Sequence, residues 1–397
     1  MAGFGQARWE YRGIVPADLA CCDQAVSFLQ SGFWGSFKAR FGWNARPFLV
    51  SWEAPSVPLK VELPLLVIHR PLGFGVSFAY VPWGPEPPWG PEDSWGSDDA
   101  CGANDPGGSD DPGGSDDPRG SDDPLGNKAK TAMLRSLAED LKALLPENTA
   151  FIRFDPPWHT EGADAAAPSV YAPFSRSAAD VQSPDTTLVD LTAGEDEILG
   201  RMKSKGRYNI RLAHKRGVRV RGGGAEELEK FYALYQETAR RDGINIHALS
   251  YYQTLFDHGA AYPGQELRLY LAEYEGKTLA ANIVLFRQSA ATYLYGASSN
   301  EDRQVMAPYA LQWKAMTDAK AYGCSEYDLF GIPPKADPNH PMAGLYLFKT
   351  NFGGRIIHRS GSWDFAYKPV ARRVFSAAES LRKALWTMKK KRIRKAQ

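Results

Sequence analysis

The segment APYALQWKAMTDAKAYGCSEYDLFG, residues 307–331, reads as a helix from Ala307 to Tyr322 that delivers the chain into a buried strand, Tyr327-Asp328-Leu329-Phe330-Gly331. An earlier segment, TAMLRSLAEDLKALLPENTAFIRF at 131–154, repeats that order. Apolar residues at 133, 134, 137, 138, 141, 144 and 145 draw a helical stripe, and Ala150-Phe151-Ile152-Arg153-Phe154 follows as a strand. Further strands precede each step. In the first half they are Phe48 to Trp52, Val61 to Val67 and Phe78 to Val81, after a short helix from Phe28 to Phe37. In the second they are Leu267 to Tyr274, Thr278 to Phe286 and Thr292 to Tyr295, after helices at about 194–216 and from Ala225 to Arg241. The repeated order implies an α/β chain of two tandem domains, each a mixed, mainly antiparallel sheet flanked by helices.

At 397 residues the chain exceeds one ordinary core, and we expect domains at 1–185 and 186–370 with a basic C-terminal helix at 371–397. Hydrophobic residues make up 43% and aromatic ones 12%, the composition of a folded protein. Four cysteines, Cys21, Cys22, Cys101 and Cys324, have no metal-ligand spacing and are too few for a secreted disulfide scaffold, so a reducing cytoplasm fits. No leader pattern opens the sequence, and no stretch approaches the roughly 18 apolar residues of a membrane helix.

A repeat, GGSDDP-GGSDDP-RGSDDP, lies within an insertion at 96–127 that is expected to stay out of the core and be mobile, because Gly, Ser, Asp and Pro bury almost nothing. Residues 96–124 hold nine Asp and one Arg, a charge of −8. The net charge is +1, so the remainder carries +9. Such a surface favours anionic partners: RNA, nucleotide phosphates or acidic lipid.

The cations are concentrated. Residues 201–221 hold nine Lys and Arg and no acid, with Arg207 and Arg211 four apart on one helical face and Tyr208 beside them. Lys389, Lys390, Lys391, Arg392, Arg394 and Lys395 end the chain, where a helix C-terminus, RNA or a membrane surface would each accept them. Lys349 is a lone cation in the apolar run 344–354, and a half-buried lysine there is expected to meet an anion or a developing oxyanion. Glycine-containing turns follow Tyr80 and Tyr295 and read first as ordinary turns, and both tyrosines stand among the substrate-binding candidates. No HExxH, GxSxG or GxxxxGK[ST] pattern occurs, which argues against metal, serine and nucleotide hydrolysis; His247 and His340 remain isolated candidate bases.

Several spaced motifs together resemble the FemABX family of tRNA-dependent peptidoglycan peptidyltransferases, in the form without a coiled-coil arm. They include Trp34-Gly35-Ser36-Phe37-Lys38, Tyr80 to Pro85, Ile152 to Pro156, Met202-Lys203-Ser204-Lys205 with Arg207-Tyr208-Asn209-Ile210, Thr238 to Gly243, Met306-Ala307-Pro308-Tyr309, Tyr327 to Gly331 and Phe348-Lys349. The resemblance implies two tandem GNAT (N-acyltransferase)-like domains. It also implies transfer of an amino acid from aminoacyl-tRNA to the stem peptide of a UDP-linked or lipid-linked peptidoglycan precursor. Lys38 and Arg241 would hold the precursor's phosphates, Arg240 being the neighbouring choice for the second, and Lys349 would act in the transition state. With Tyr80, Arg207, Tyr208 and Tyr295 these residues form the expected site. Near the acceptor the family pattern supplies a carboxylate, for which Glu86, Glu92 and Asp93 are all candidates.

No cofactor and no metal are expected, and the chain is expected to act as a cytoplasmic monomer with peripheral contact at the inner membrane face. The competing reading is a coenzyme A-dependent N-acyltransferase. Its phosphate loop would need glycines, and the corresponding stretch, Ser299 to Ala307, has none.

Overall fold

The computed structural model describes residues 9–55, 59–73, 75–88, 127–159, 172–338, 340 and 342–396. The acidic repeat, Glu92 and Asp93 lie outside them. The first half runs β1 (Glu10–Pro16), α1 (Gly32–Ala39), β2 (Asn44–Ala54), β3 (Leu59–Gly73), β4 (Val76–Val81), α2 (Asn127–Leu144), β5 (Thr149–Phe154) and β6 (Ser175–Arg176). The second runs β7 (Thr186–Asp190), α3 (Glu195–Arg201), α4 (Ser204–Lys215), β8 (Arg219–Gly223), α5 (Leu228–Asp242), α6 (Leu249–Ala261), β9 (Gln265–Tyr274), β10 (Lys277–Arg287), β11 (Ala290–Ser298), α7 (Ala307–Tyr322), β12 (Glu326–Asp328), α8 (Ala343–Thr350) and β13 (Arg355–Ile357). Last come β14 (Trp363–Ala366) and α9 (Pro369–Ala396).

Both expected helix-to-strand steps are crossovers between parallel strands. Helix α2 joins β4 to β5 and α7 joins β11 to β12, and these two pairs are the parallel ones in sheets otherwise antiparallel. Helix α7 has Pro308 in its first turn and ends at Gly323, whose φ of 104° suits the left-handed cap. Its alanines 310, 315 and 319 are fully buried between the sheet and α4. The strand orders are β1-β2-β3-β4-β5-β14-β6 and β13-β7-β12-β11-β10-β9-β8. Each half thus carries the expected mixed, mainly antiparallel sheet flanked by helices.

One core belongs to both halves. Phe33, Phe37, Leu66 and Ile68 from the first pack with Tyr252, Leu255, Leu269 and Leu285 from the second. Burying four such side chains from each side makes the halves a single packed body, since each contributes about 1.5–3 kcal/mol.

Four expectations change. The Phe28–Phe37 helix divides, because Ser31 caps a new helix by accepting from the Trp34 amide at 3.2 Å. The 194–216 helix breaks at Met202–Lys203, where the Lys203 amide leaves the helix to donate to the Asn351 carbonyl at 3.1 Å. Helix α6 was not foreseen; its Tyr251 and Tyr252 are buried in the shared core. Finally, the chain does not keep to a boundary at 370, since Trp363–Ala366 pairs with β5 in the first sheet. Arg153 on β5 explains this return. Its guanidinium, 1% exposed, donates to Asp364 at 2.7 Å and to Glu379 of α9 at 2.8 Å, binding β5, β14 and α9 in one buried network.

Candidate functional site

The parallel pairing of β11 with β12 stops at Thr292 and Asp328, although β11 continues against β10 to Ser298. Beyond that point the two strands part. Phe330, with φ at 57°, turns the chain away, and the gap opens into a cavity of about 660 Å³. A β-bulge shapes its wall. Ile283 opposes Tyr295 while the next residue, Val284, opposes Tyr293, so Leu294 is extra and the two tyrosines point to opposite faces. Tyr293 joins the core under α7, and Tyr295 joins the aromatic cluster of α5 and α6, yet both line the cavity.

Lys349 lines the same cavity. Helix α8 carries it, where the run between glycines had no assigned structure, and it is 5% exposed. Its ammonium donates to the carbonyl oxygens of Phe330 at 3.1 Å and Gly331 at 2.9 Å and sits 5.2 Å from the Tyr293 ring centre. Burial pushes its pKa down to about 7, with Asp328 pulling weakly the other way. An ammonium has three N–H donors, and two are spent on these carbonyls. One donor remains for a group in the cavity.

Arg241 and Tyr295 line the same cavity. Arg241 donates to the Ser298 carbonyl at 2.9 Å and to Asn300 at 3.1 Å, and pairs with Asp242 at 3.0 Å, which fixes its fork at the rim. Lys38 stands further off, among the rings of Trp34, Trp43 and Tyr251 at 5.4, 5.5 and 5.7 Å. Desolvation, with Arg70 adding repulsion, lowers its pKa to about 8. Aromatic contacts run from this cage to the cavity: Tyr251 to Tyr252 at 5.5 Å, then Tyr252 to Tyr295 at 5.1 Å. His247 stacks on Tyr251 at 3.9 Å, and its pKa is lowered by desolvation and then by Lys38.

The other expected residues do not converge there. Tyr80 is 3% exposed and donates to Asp155, whose pKa burial raises to about 6; it lines neither cavity. Arg207 turns back on its own chain, donating to the Gly200 and Met202 carbonyls at the end of α3. Tyr208 is 62% exposed on the outer face of α4. Glu86 accepts from the amides of Val26 at 3.1 Å and Ser27 at 2.8 Å, and faces a second cavity of about 550 Å³ between the halves. His340 lies apart, accepting at Nδ1 from the Met342 amide at 3.1 Å. Sequence reading missed Tyr235, Tyr251 and Tyr293. The i, i+3 pair Tyr232/Tyr235 and the i, i+2 pair Tyr293/Tyr295 were the available signal, but the bulge that separates the latter has no local mark. Among the described residues no group of three His, Cys, Asp or Glu could hold a metal, and no helix is long and apolar enough to cross a membrane.

The chain is similar to known proteins in sequence and in fold. Lipid II:glycine glycyltransferase of Staphylococcus aureus strain COL is 25% identical over 310 residues, 60% of this chain and 73% of that protein. The same-named protein of strain USA300 is 24% identical over 249 residues, so the chain spans 59% of its length. The crystal structure of FemX superposes with a TM-score of 0.67 at 18% identity, covering 92% of this chain and all of that one, which establishes a common fold. The FemAB family model matches residues 171–278 and 264–380, more than half of the sequence and the whole of the cavity described above, and the chain belongs to the FemAB family.

Proposed function

We propose that this chain is an aminoacyltransferase that moves an amino acid from aminoacyl-tRNA to an amine on the stem peptide of a peptidoglycan precursor. The observation that carries the reading is Lys349, a buried cation with one uncommitted N–H donor on the wall of a cavity large enough for a substrate. Membership of the FemAB family and likeness to lipid II:glycine glycyltransferases support it.

The chemistry asks little more of the protein. The acceptor amine attacks the ester carbonyl of the donor, and Lys349 stabilises the oxyanion as the tetrahedral centre forms. The intermediate collapses by breaking the carbon–oxygen ester bond, and the proton lost by nitrogen passes to the departing ribose oxygen. No covalent enzyme intermediate is needed, so positioning supplies much of the rate. Tyr293 and Tyr295 would flank the reacting groups. Lys38 and Arg241 would hold precursor phosphates, with Lys38 charged while the pH stays below its pKa of about 8. On this reading the protein acts as a monomer, and a tRNA donor implies a cytoplasmic reaction.

The test is incubation of the purified protein with radiolabelled aminoacyl-tRNAs and both the UDP-linked and lipid-linked precursors. Label on the muropeptide that vanishes after ribonuclease treatment is the expected result. Acyl transfer from a coenzyme A thioester, with none from any tRNA, would overturn the donor.

A further inference from the structure

Helix α9 presents two unlike faces. Inward, Phe375 stacks against Phe78 and Phe151 at 5.8 and 5.2 Å, Glu379 holds Arg153, and Lys383 donates to the Ala178 carbonyl at 3.0 Å. Outward, Val370, Val374, Leu381, Leu385 and Met388 are 74, 66, 61, 54 and 51% exposed. At 3.6 residues per turn these five fall within roughly a sixth of the circumference. The stripe therefore runs from Val370 to Met388, and nothing in the chain's described residues covers it.

Charge decides what could. Residues 369–396 contain ten Lys and Arg and a single acid, Glu379, which is already spent on Arg153. A second copy of this helix would bring like charge against like. RNA would satisfy the cations but leave five apolar side chains in water. An anionic lipid surface satisfies both, taking the apolar stripe into the headgroup boundary while the flanking cations meet phosphates.

We propose that α9 lies in the plane of an anionic membrane surface and docks the protein there through Val370, Val374, Leu381, Leu385 and Met388. The network of Arg153, Asp364 and Glu379 locks the helix to the first sheet, so docking fixes the orientation of the whole body rather than of a loose tail. This inference does not rest on the transferase reading, because binding is measured without turnover.

The experiment is co-sedimentation of the full-length protein with vesicles of phosphatidylglycerol and phosphatidylcholine, against vesicles of phosphatidylcholine alone. We expect binding to the former that Leu381→Glu/Leu385→Glu weakens by about tenfold or more, since the substitution places charge in the apolar boundary. Both positions are exposed, and an unchanged melting temperature checks that the variant folds. Three results would overturn the proposal: no binding to anionic vesicles, undiminished binding by the double variant, or a dimer or tRNA complex that the variant abolishes while vesicle binding is absent.

Discussion

Lys349→Met tests whether the chain keeps a costly buried charge for chemistry. Burial lowers the pKa from 10.5 to about 7, which corresponds to about 5 kcal/mol between charged and neutral forms. Methionine removes that cost in a side chain of similar length. It also strips the donor from the carbonyls of Phe330 and Gly331, at about 1–3 kcal/mol each. The two effects nearly cancel, so stability at pH 7 should stay within about 3 kcal/mol of the parent. The sign of the pH dependence is then specific. Between pH 7 and 10.5 the unfolded chain binds the extra proton, so this lysine makes the parent's stability rise with pH, a contribution the variant lacks. Denaturant unfolding should therefore show the variant losing about 3 kcal/mol relative to the parent between pH 7 and pH 9.5. Turnover of aminoacyl-tRNA should fall about 10²–10³-fold, the usual loss on removing one oxyanion donor. Turnover within tenfold of the parent, or parallel stability profiles, would refute the reasoning.

Three further outcomes follow from the geometry. Lys38→Met should raise KM for the precursor about tenfold with kcat little changed, and in the parent, precursor affinity measured by calorimetry should drop as pH rises through about 8, where burial and Arg70 make this amine lose its proton. Arg153→Met leaves Asp364, 1% exposed, and Glu379 without their shared cation, and should cost about 3–5 kcal/mol in thermal or denaturant unfolding. Gly206→Ala drives a methyl into the Asn351 carbonyl just after α8; the displaced helix should lower kcat more than tenfold, checked by turnover alongside circular dichroism.

Periodicity within short windows determined much of the architecture. The stripe of α2, the helix-forming run of α7 and the strands after them can be read in about fifteen residues each, and they define the doubled plan because a helix between parallel strands must cross over the sheet. Lys349 stood out as a candidate for a similar reason: a single cation in an apolar run conflicts with the burial expected of its neighbours, and such conflicts point to candidate sites. The spaced motifs added the family and, with it, Lys38 and Arg241.

What only the tertiary structure decided concerns contacts between residues far apart in the chain. Whether Tyr80 faces a ligand or a buried carboxylate depends on Asp155, 75 residues away. The return of β14 and α9 to the first sheet depends on Arg153 meeting Asp364 and Glu379, more than 200 residues away. Arg207 looked free for a polyanion because charge pattern does not reveal that two helix-end carbonyls would claim it. The sequence by itself determined most of the elements and nominated side chains that could carry chemistry, since propensity and hydrophobic period act locally. The fold decided which of those side chains share a cavity, because desolvation and hydrogen-bond partners exist only after distant segments have packed.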